Sequence, residues 1–201
     1  MKIPDLQLAE AMLSEAEKMN PGVWIKHSQF AAQAARNIAQ KLPGLDPEPA
    51  YILGLLHDIG RRAGVTDLRH IFDGYRYMQE AGFEDVARIC LTHSFPAQNL
   101  GVVAGQWDCT PDEFNFIKNY LEKVEYNAYD KLIQLCDALT NGTGFCLIEK
   151  RLIDVAVRRG INDFTLLKWR ATFQIQRDFE TVIGKSIYNF LPGVIENTFQ
   201  I

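Results

Sequence analysis

The chain carries four histidines, His27, His57, His70 and His93. One of them is followed directly by an acid, Asp58, at the end of the apolar run Ala50-Tyr51-Ile52-Leu53-Gly54-Leu55-Leu56. A second acid, Asp137, interrupts another apolar stretch, Leu132-Ile133-Gln134-Leu135-Cys136. Imidazoles and carboxylates together are what a borderline or hard divalent metal needs at neutral pH. An apolar run ending in adjacent His and Asp is a poor way to build a core, because burying those groups unpaired is costly. It is a sensible way to set two metal ligands at the edge of one.

The elements that must position these residues read as helices. Leu6, Ala9, Met12, Leu13 and Ala16 share one face of a first helix, stopped by Asn20-Pro21-Gly22. A second begins near Trp24 and lines Phe30, Ala31, Ala34, Ala35 and Ile38 along one side, its alanines permitting close packing. A third runs from about Glu48 to Asp58. Thr66 or Asp67 is expected to cap a fourth, which Gly82 closes, and Phe83 to His93 forms a fifth. The stretch from Ser94 to Cys109 is irregular and forms the longest loop. Thr110 and Pro111 open another helix. Tyr129 to Leu139, Leu147 to Arg159 and Asn162 to about Ile183 complete an expected all-α bundle of about nine helices. Consecutive helix residues point about 100° apart, so His57 and Asp58 can flank one ion only over the end of their helix.

The chain has 201 residues, enough for one good-sized core, and it reads as one domain over 1–201. A net charge of -4 and a pI of about 5.6 favour neither a nucleic-acid polymer nor an anionic membrane as the main partner. No apolar run approaches the roughly 20 residues of a membrane helix, and the N-terminus lacks the regions of a signal peptide. The cysteines Cys90, Cys109, Cys136 and Cys146 make no C-x-x-C pair, which suggests reduced thiols in a cytoplasm. Cys90 and the aromatics Phe72, Tyr75, Phe95, Trp107 and Phe145 are expected mostly in the core, and Lys131 at the surface.

The ordered set His27, His57-Asp58 and Asp137 resembles the HD superfamily of metal-dependent phosphohydrolases. His57-Asp58-Ile59-Gly60-Arg61 resembles the core of the family's motif. His27-Ser28-Gln29-Phe30-Ala31 resembles the start of its first motif helix, and Cys136-Asp137-Ala138-Leu139 its terminal Asp motif. The match covers roughly Trp24 to Thr140, with the C-terminal helices of 147–190 packing on that core. His70, opening His70-Ile71-Phe72-Asp73-Gly74, and His93, closing Ile89-Cys90-Leu91-Thr92-His93, resemble the additional histidines of two-metal members.

The resemblance implies a hydrolase that cleaves a phosphate ester of a small molecule such as a nucleotide. His27, His57, Asp58 and Asp137 would hold one divalent ion, with His70 and His93 holding a second across a bridging Asp58. Fe, Mn, Mg, Ni, Co and Zn all suit such a set. Asp58 would also orient water, and Arg61 or Arg62 would face the phosphate with the planar fork of donors that suits it. Three departures disfavour particular substrates. Ser94 follows His93 where cyclic-dinucleotide esterases double the His. Arg61-Arg62-Ala63-Gly64 replaces the acidic motif of guanosine-tetraphosphate hydrolases. Beyond Asp137 the chain leaves the pattern of diadenosine-tetraphosphate hydrolases. Two alternatives stay open: a metal-binding or nucleotide-binding regulatory module without turnover, and a di-iron oxygenase, as some HD relatives are.

Overall fold

Ten α-helices and three short 3-10 helices follow one another in the computed structural model, which describes residues 1–201. The helices are α1 Leu6–Met19, α2 Val23–Ala39, α3 Pro47–Leu56, α4 His70–Glu80, α5 Glu84–Thr92, α6 Pro111–Lys123, α7 Ala128–Ala138, α8 Ile148–Arg159, α9 Thr165–Ile183 and α10 Val194–Phe199. The only β pairing is an isolated antiparallel bridge between Thr140 and Phe145. The all-α expectation therefore holds. The helix it lacked is α10, six residues long and too short to show a period. It docks through side chains: Asn197 Nδ2 donates to the Phe145 carbonyl at 2.7 Å, and Thr198 Oγ1 accepts from Leu147 N at 2.9 Å.

Local chemistry sets most helix starts. Asp5 caps α1, and Asp46 caps α3 with Pro47 in the first turn. Thr110 with Glu113, and Asn127 with Asp130, form capping boxes on α6 and α7. The start of α4 differs from expectation. Neither Thr66 nor Asp67 caps it; the Asp108 carboxylate, from the long loop, accepts from Asp67 N and Arg69 N at 2.7 Å each. Periodicity cannot reveal a partner about forty residues away.

The core is one apolar cluster reaching from Ala9 in α1 to Val194 in α10, with a smaller cluster where α4 and α5 meet α6 and the long loop. Small residues control how closely its helices approach. Ala31, Ala32, Ala34 and Ala35 of α2 are fully buried. A Cβ on Gly54 of α3 would stand 2.7 Å from Ala32 Cα. That contact seats α3 directly on α2.

The third helix is shorter than expected. It ends at Leu56, with His57 as its C-cap, and Asp58 opens a 3-10 helix over Ile59–Ala63. Asn20 Nδ2 holds this turn by donating to the Arg61 carbonyl at 2.6 Å. Gly60 lies against the first turns of α4, where a Cβ would stand 1.9 Å from the His70 carbonyl oxygen and 2.3 Å from Gly74 N. Both are backbone atoms and cannot rotate away. Gly60→Ala is expected to destabilise the protein by about 3 kcal/mol, the upper end of the usual cost of overpacking a core. Urea unfolding measures this, and a loss under about 1 kcal/mol would show that the turn and α4 can separate cheaply.

Candidate metal centre

All four imidazoles of the chain meet at one place. His27 comes from the second turn of α2, His57 from the end of α3, His70 from the first turn of α4 and His93 from the end of α5. Ring centroids lie 5.3 Å apart for His27 and His57, 5.0 Å for His57 and His93, and 5.8 Å for His70 and His93. All four are buried, as is Asp58. The ligand atoms form two triads, His27–His57–Asp58 and Asp58–His70–His93, each with all atoms within 4.8 Å of one another. Asp58 belongs to both.

The backbone fixes which ring nitrogen is free. His57 Nδ1 lies 2.7 Å from the Gly54 carbonyl, and His70 Nδ1 bonds the Asp67 carbonyl. His93 Nδ1 faces the Ile89 and Cys90 carbonyls at 3.1 and 3.0 Å. Carbonyls only accept, so each Nδ1 carries the proton and each neutral ring keeps a lone pair on Nε2. His27 differs: its Nε2 lies 2.9 Å from Asp137 Oδ1 and donates to it, while its Nδ1 lies 3.2 Å from Thr140 Oγ1.

The free nitrogens converge on carboxylates. His70 Nε2 and His93 Nε2 lie 3.2 and 3.5 Å from Asp58 Oδ1, and His57 Nε2 lies 4.0 Å from Asp58 Oδ2. Lone pairs aimed at carboxylate oxygens repel unless a cation stands between them. His57 Nε2 and Asp58 Oδ1 are buried with no hydrogen-bond partner at all, a costly state for polar atoms. Histidines backed by carbonyls and facing an unsatisfied carboxylate are the arrangement of metal ligands and their outer supports. The residues present therefore fit a divalent ion.

One cation of the chain already reaches the cluster. Arg61 Nε donates to Asp58 Oδ2 at 2.7 Å, and its Nη2 lies 3.3 Å from His70 Nε2. Arg62 points elsewhere, 4.0 Å over the Tyr77 ring and 3.3 Å from Glu15. Burial acts to raise the Asp58 carboxyl, but Arg61, His70 and His57 outweigh it and hold it well below its usual range. Burial also acts upward on Asp137, yet the His27 hydrogen bond and charge, with Arg151, hold it well below as well. Both acids are thus ready as anionic ligands.

Asp137 attaches to the cluster through His27 and lies outside both triads. A quarter of its side chain is exposed, and it faces a cleft where Arg151 Nη2 lies 3.6 Å from its Oδ1. Lys131 is exposed on α7 and Cys90 is buried, donating to the Leu56 carbonyl at 3.6 Å, as the sequence suggested. Sequence reading missed Arg151, Lys168 and Trp169, which line the cleft beside Asp137. It also missed Asp130, fully buried between Arg88 and Thr92 of α5 at 2.6 and 2.8 Å. That ion pair locks α7, the helix that carries Asp137, to α5, the helix that ends at His93. An Arg and an Asp 42 positions apart give no signal of pairing in one sequence.

Burial lowers the His93 imidazole to about 3, with His57 adding to the effect, and burial likewise lowers His27. Between about pH 6.5 and 3 the unfolded chain thus binds a proton at His93 that the folded chain refuses. This stability is complete above about pH 6.5 and is lost as pH falls. In the metal-free protein the thermal midpoint is expected to fall between about pH 7 and pH 5, each such histidine contributing at most about 1.4 kcal/mol per pH unit. The two carboxylates act only below about pH 4. His93→Gln is expected to flatten the slope, and a midpoint unchanged or rising toward the acid end of that range would contradict the assignment of neutral buried rings.

Residues 24–142, more than half the chain, match the family model of the HD domain. No curated protein and no solved structure matches the chain. The matched span contains His27, His57, Asp58, His70, His93 and Asp137, the six residues that the fold gathers from five helices and a turn. The chain belongs to the HD superfamily of metal-dependent phosphohydrolases.

Proposed function

We propose that the protein is a metal-dependent phosphohydrolase that cleaves a phosphate ester of a small molecule, a nucleotide being the favoured class. The observation that carries this reading is the buried Asp58 carboxylate shared by two histidine-containing triads, with its Oδ1 and the His57 Nε2 left without a hydrogen-bond partner. His27, His57, Asp58 and Asp137 would hold one divalent ion, and Asp58, His70 and His93 a second. Bound there, such ions lower the pKa of water toward neutrality and polarise a phosphoryl oxygen.

The chain's own groups do the rest. The carbonyls of Gly54, Asp67, Ile89 and Cys90 keep the imidazoles in one tautomer and one orientation. Asp58 is ligand and orienter of water. Arg61, held on Asp58, supplies a fixed positive charge beside the phosphoryl group, where charge develops during transfer. The absence of any helix long and apolar enough to cross a membrane and the four unpaired cysteines support a cytoplasmic setting.

His57→Ala or Asp137→Ala is expected to abolish metal retention and ester hydrolysis while leaving the helix content near that of the parent. Elemental analysis on untagged protein also counts the ions, and two per chain are expected. Full occupancy in both variants would remove the ligand assignment. Release of phosphate from an ester panel tests the reaction itself. Dioxygen uptake after anaerobic ferrous loading, without phosphate release, would move the chain to the oxygenase class, and metal binding with neither would make it a regulatory module.

Arg61→Ala is expected to lower turnover about a hundred- to thousand-fold, the range for loss of one preorganised donor to the transition state. Arg62→Ala is the matched control, because its guanidinium packs on Tyr77 and Glu15. It should leave turnover unchanged. Equal small effects of both on initial rates would return Arg61 to a purely structural partner of Asp58.

A further inference from the structure

A cleft opens beside Asp137, between the end of α7, the helices α8 and α9, and the loop at Val102. Its chemistry is divided. At the Asp137 end stand Arg151 of α8 and Lys168 of α9, and along the walls run Leu152, Val155 and Trp169. Arg151 approaches Asp137 Oδ1 only to 3.6 Å, beyond hydrogen-bond distance. The Asp137 oxygen is already taken by His27 at 2.9 Å. The Lys168 side chain makes no ion pair and no hydrogen bond, although it is half-buried. Two cations thus face the mouth of the metal centre with one carboxylate between them, and that carboxylate is committed elsewhere. Their charge calls for an anion from outside the chain.

We propose that this cleft is the substrate subsite, with Arg151 and Lys168 gripping the phosphate and Trp169, Leu152 and Val155 taking a flat, partly apolar organic body. The inference rests on the hydrolase reading for what happens next to the phosphate, but not for binding. A lysine supplies a point charge with three donors, and an arginine a planar fork, so the pair can hold a phosphate from two sides. An indole face stacks on a nucleobase or another flat ring. The ligand class is therefore a phosphomonoester of a compact planar or apolar alcohol, such as a nucleoside monophosphate. Both cations lie outside the span that matches the family model, so they belong to what distinguishes this chain from a bare HD core.

The test is calorimetric titration of the metal-loaded protein with two probes, inorganic phosphate and adenosine 5'-monophosphate. Lys168→Ala and Arg151→Ala are each expected to weaken both probes by about tenfold or more, with metal content unchanged. Lys168→Arg should retain most of the affinity. Trp169→Ala should weaken the nucleotide while leaving inorganic phosphate as in the parent, a split that general unfolding would not produce. Arg177→Ala, an exposed α9 cation paired with Gln174, is the control and should bind both probes as the parent does. Binding of both probes with no hydrolysis of any ester would sink the hydrolase reading and leave the subsite standing. Unchanged affinity in both cation variants, or a metal-loaded parent that binds neither probe, would overturn the subsite, whatever the activity.

Discussion

The backbone of the turn after α3 touches the backbone of α4, and no side chain can stand between them. Gly60 meets the His70 carbonyl and the amide of Gly74 at distances a Cβ would violate. Asp58 sits two residues before this contact and His70 at its far side, so their 3.2 Å separation follows from it. Gly54 on Ala32 does the same in the neighbouring layer, fixing α3 on α2 and thereby His57 beside His27. The centre is thus held by rigid backbone contacts, and its ligands do not depend on the reach of flexible side chains. A site built this way keeps its geometry when charge changes within it.

That rigidity is needed because the centre is electrostatically uncomfortable. Four imidazoles and the Asp58 carboxylate share a buried volume where polar atoms such as His57 Nε2 have no partner. Folding such a set without a cation stores unfavourable energy, which the surrounding apolar cluster must offset. Arg61 relieves some of it by pairing with Asp58 Oδ2, leaving Oδ1 to the histidines. A single carboxylate therefore faces a fixed organic cation with one oxygen and the imidazole cluster with the other. Asp130 with Arg88 shows how the fold treats a buried acid that has a structural task, namely full pairing and full burial. Asp58 and Asp137, by contrast, each pair with one arginine and otherwise face imidazoles, groups that can bind a metal.

The sequence carried the fold class and drew attention to the histidines, Asp58 and Asp137 for different physical reasons. Helices announce themselves by period, and α1, α2, α7, α8 and α9 were legible from it. Adjacent His and Asp closing an apolar run are anomalous as core, which made His57 and Asp58 conspicuous. What stayed hidden was nonlocal. Asp108 steadies the start of α4 across the long loop, and Asp130 finds Arg88 on another helix. The end of α3 at Leu56, rather than Asp58, depends on Gly60 packing against α4, a contact between segments that periodicity treats separately. Arg151, Lys168 and Trp169 look like ordinary residues of amphipathic helices, and only the packing of α8 and α9 against α7 turns them toward Asp137.

The division of the chain follows from where these features lie. The residues that can hold ions, with the glycines that place them, fall within 24–142. The cleft's cations and its indole come from α8 and α9, beyond that span. The two regions meet at Asp137, whose Oδ1 faces His27 on one side and Arg151 on the other. Chemistry at an ion requires a ligand set that tolerates little change, whereas recognition of an organic body requires only a wall of suitable shape and charge. Joining the two at one carboxylate means that an anion drawn toward Arg151 and Lys168 arrives beside the ligand cluster by construction. On the proposed reading of the cleft, substitutions on the α8 and α9 faces would alter which phosphorylated molecule is held without disturbing the backbone contacts that assemble the centre.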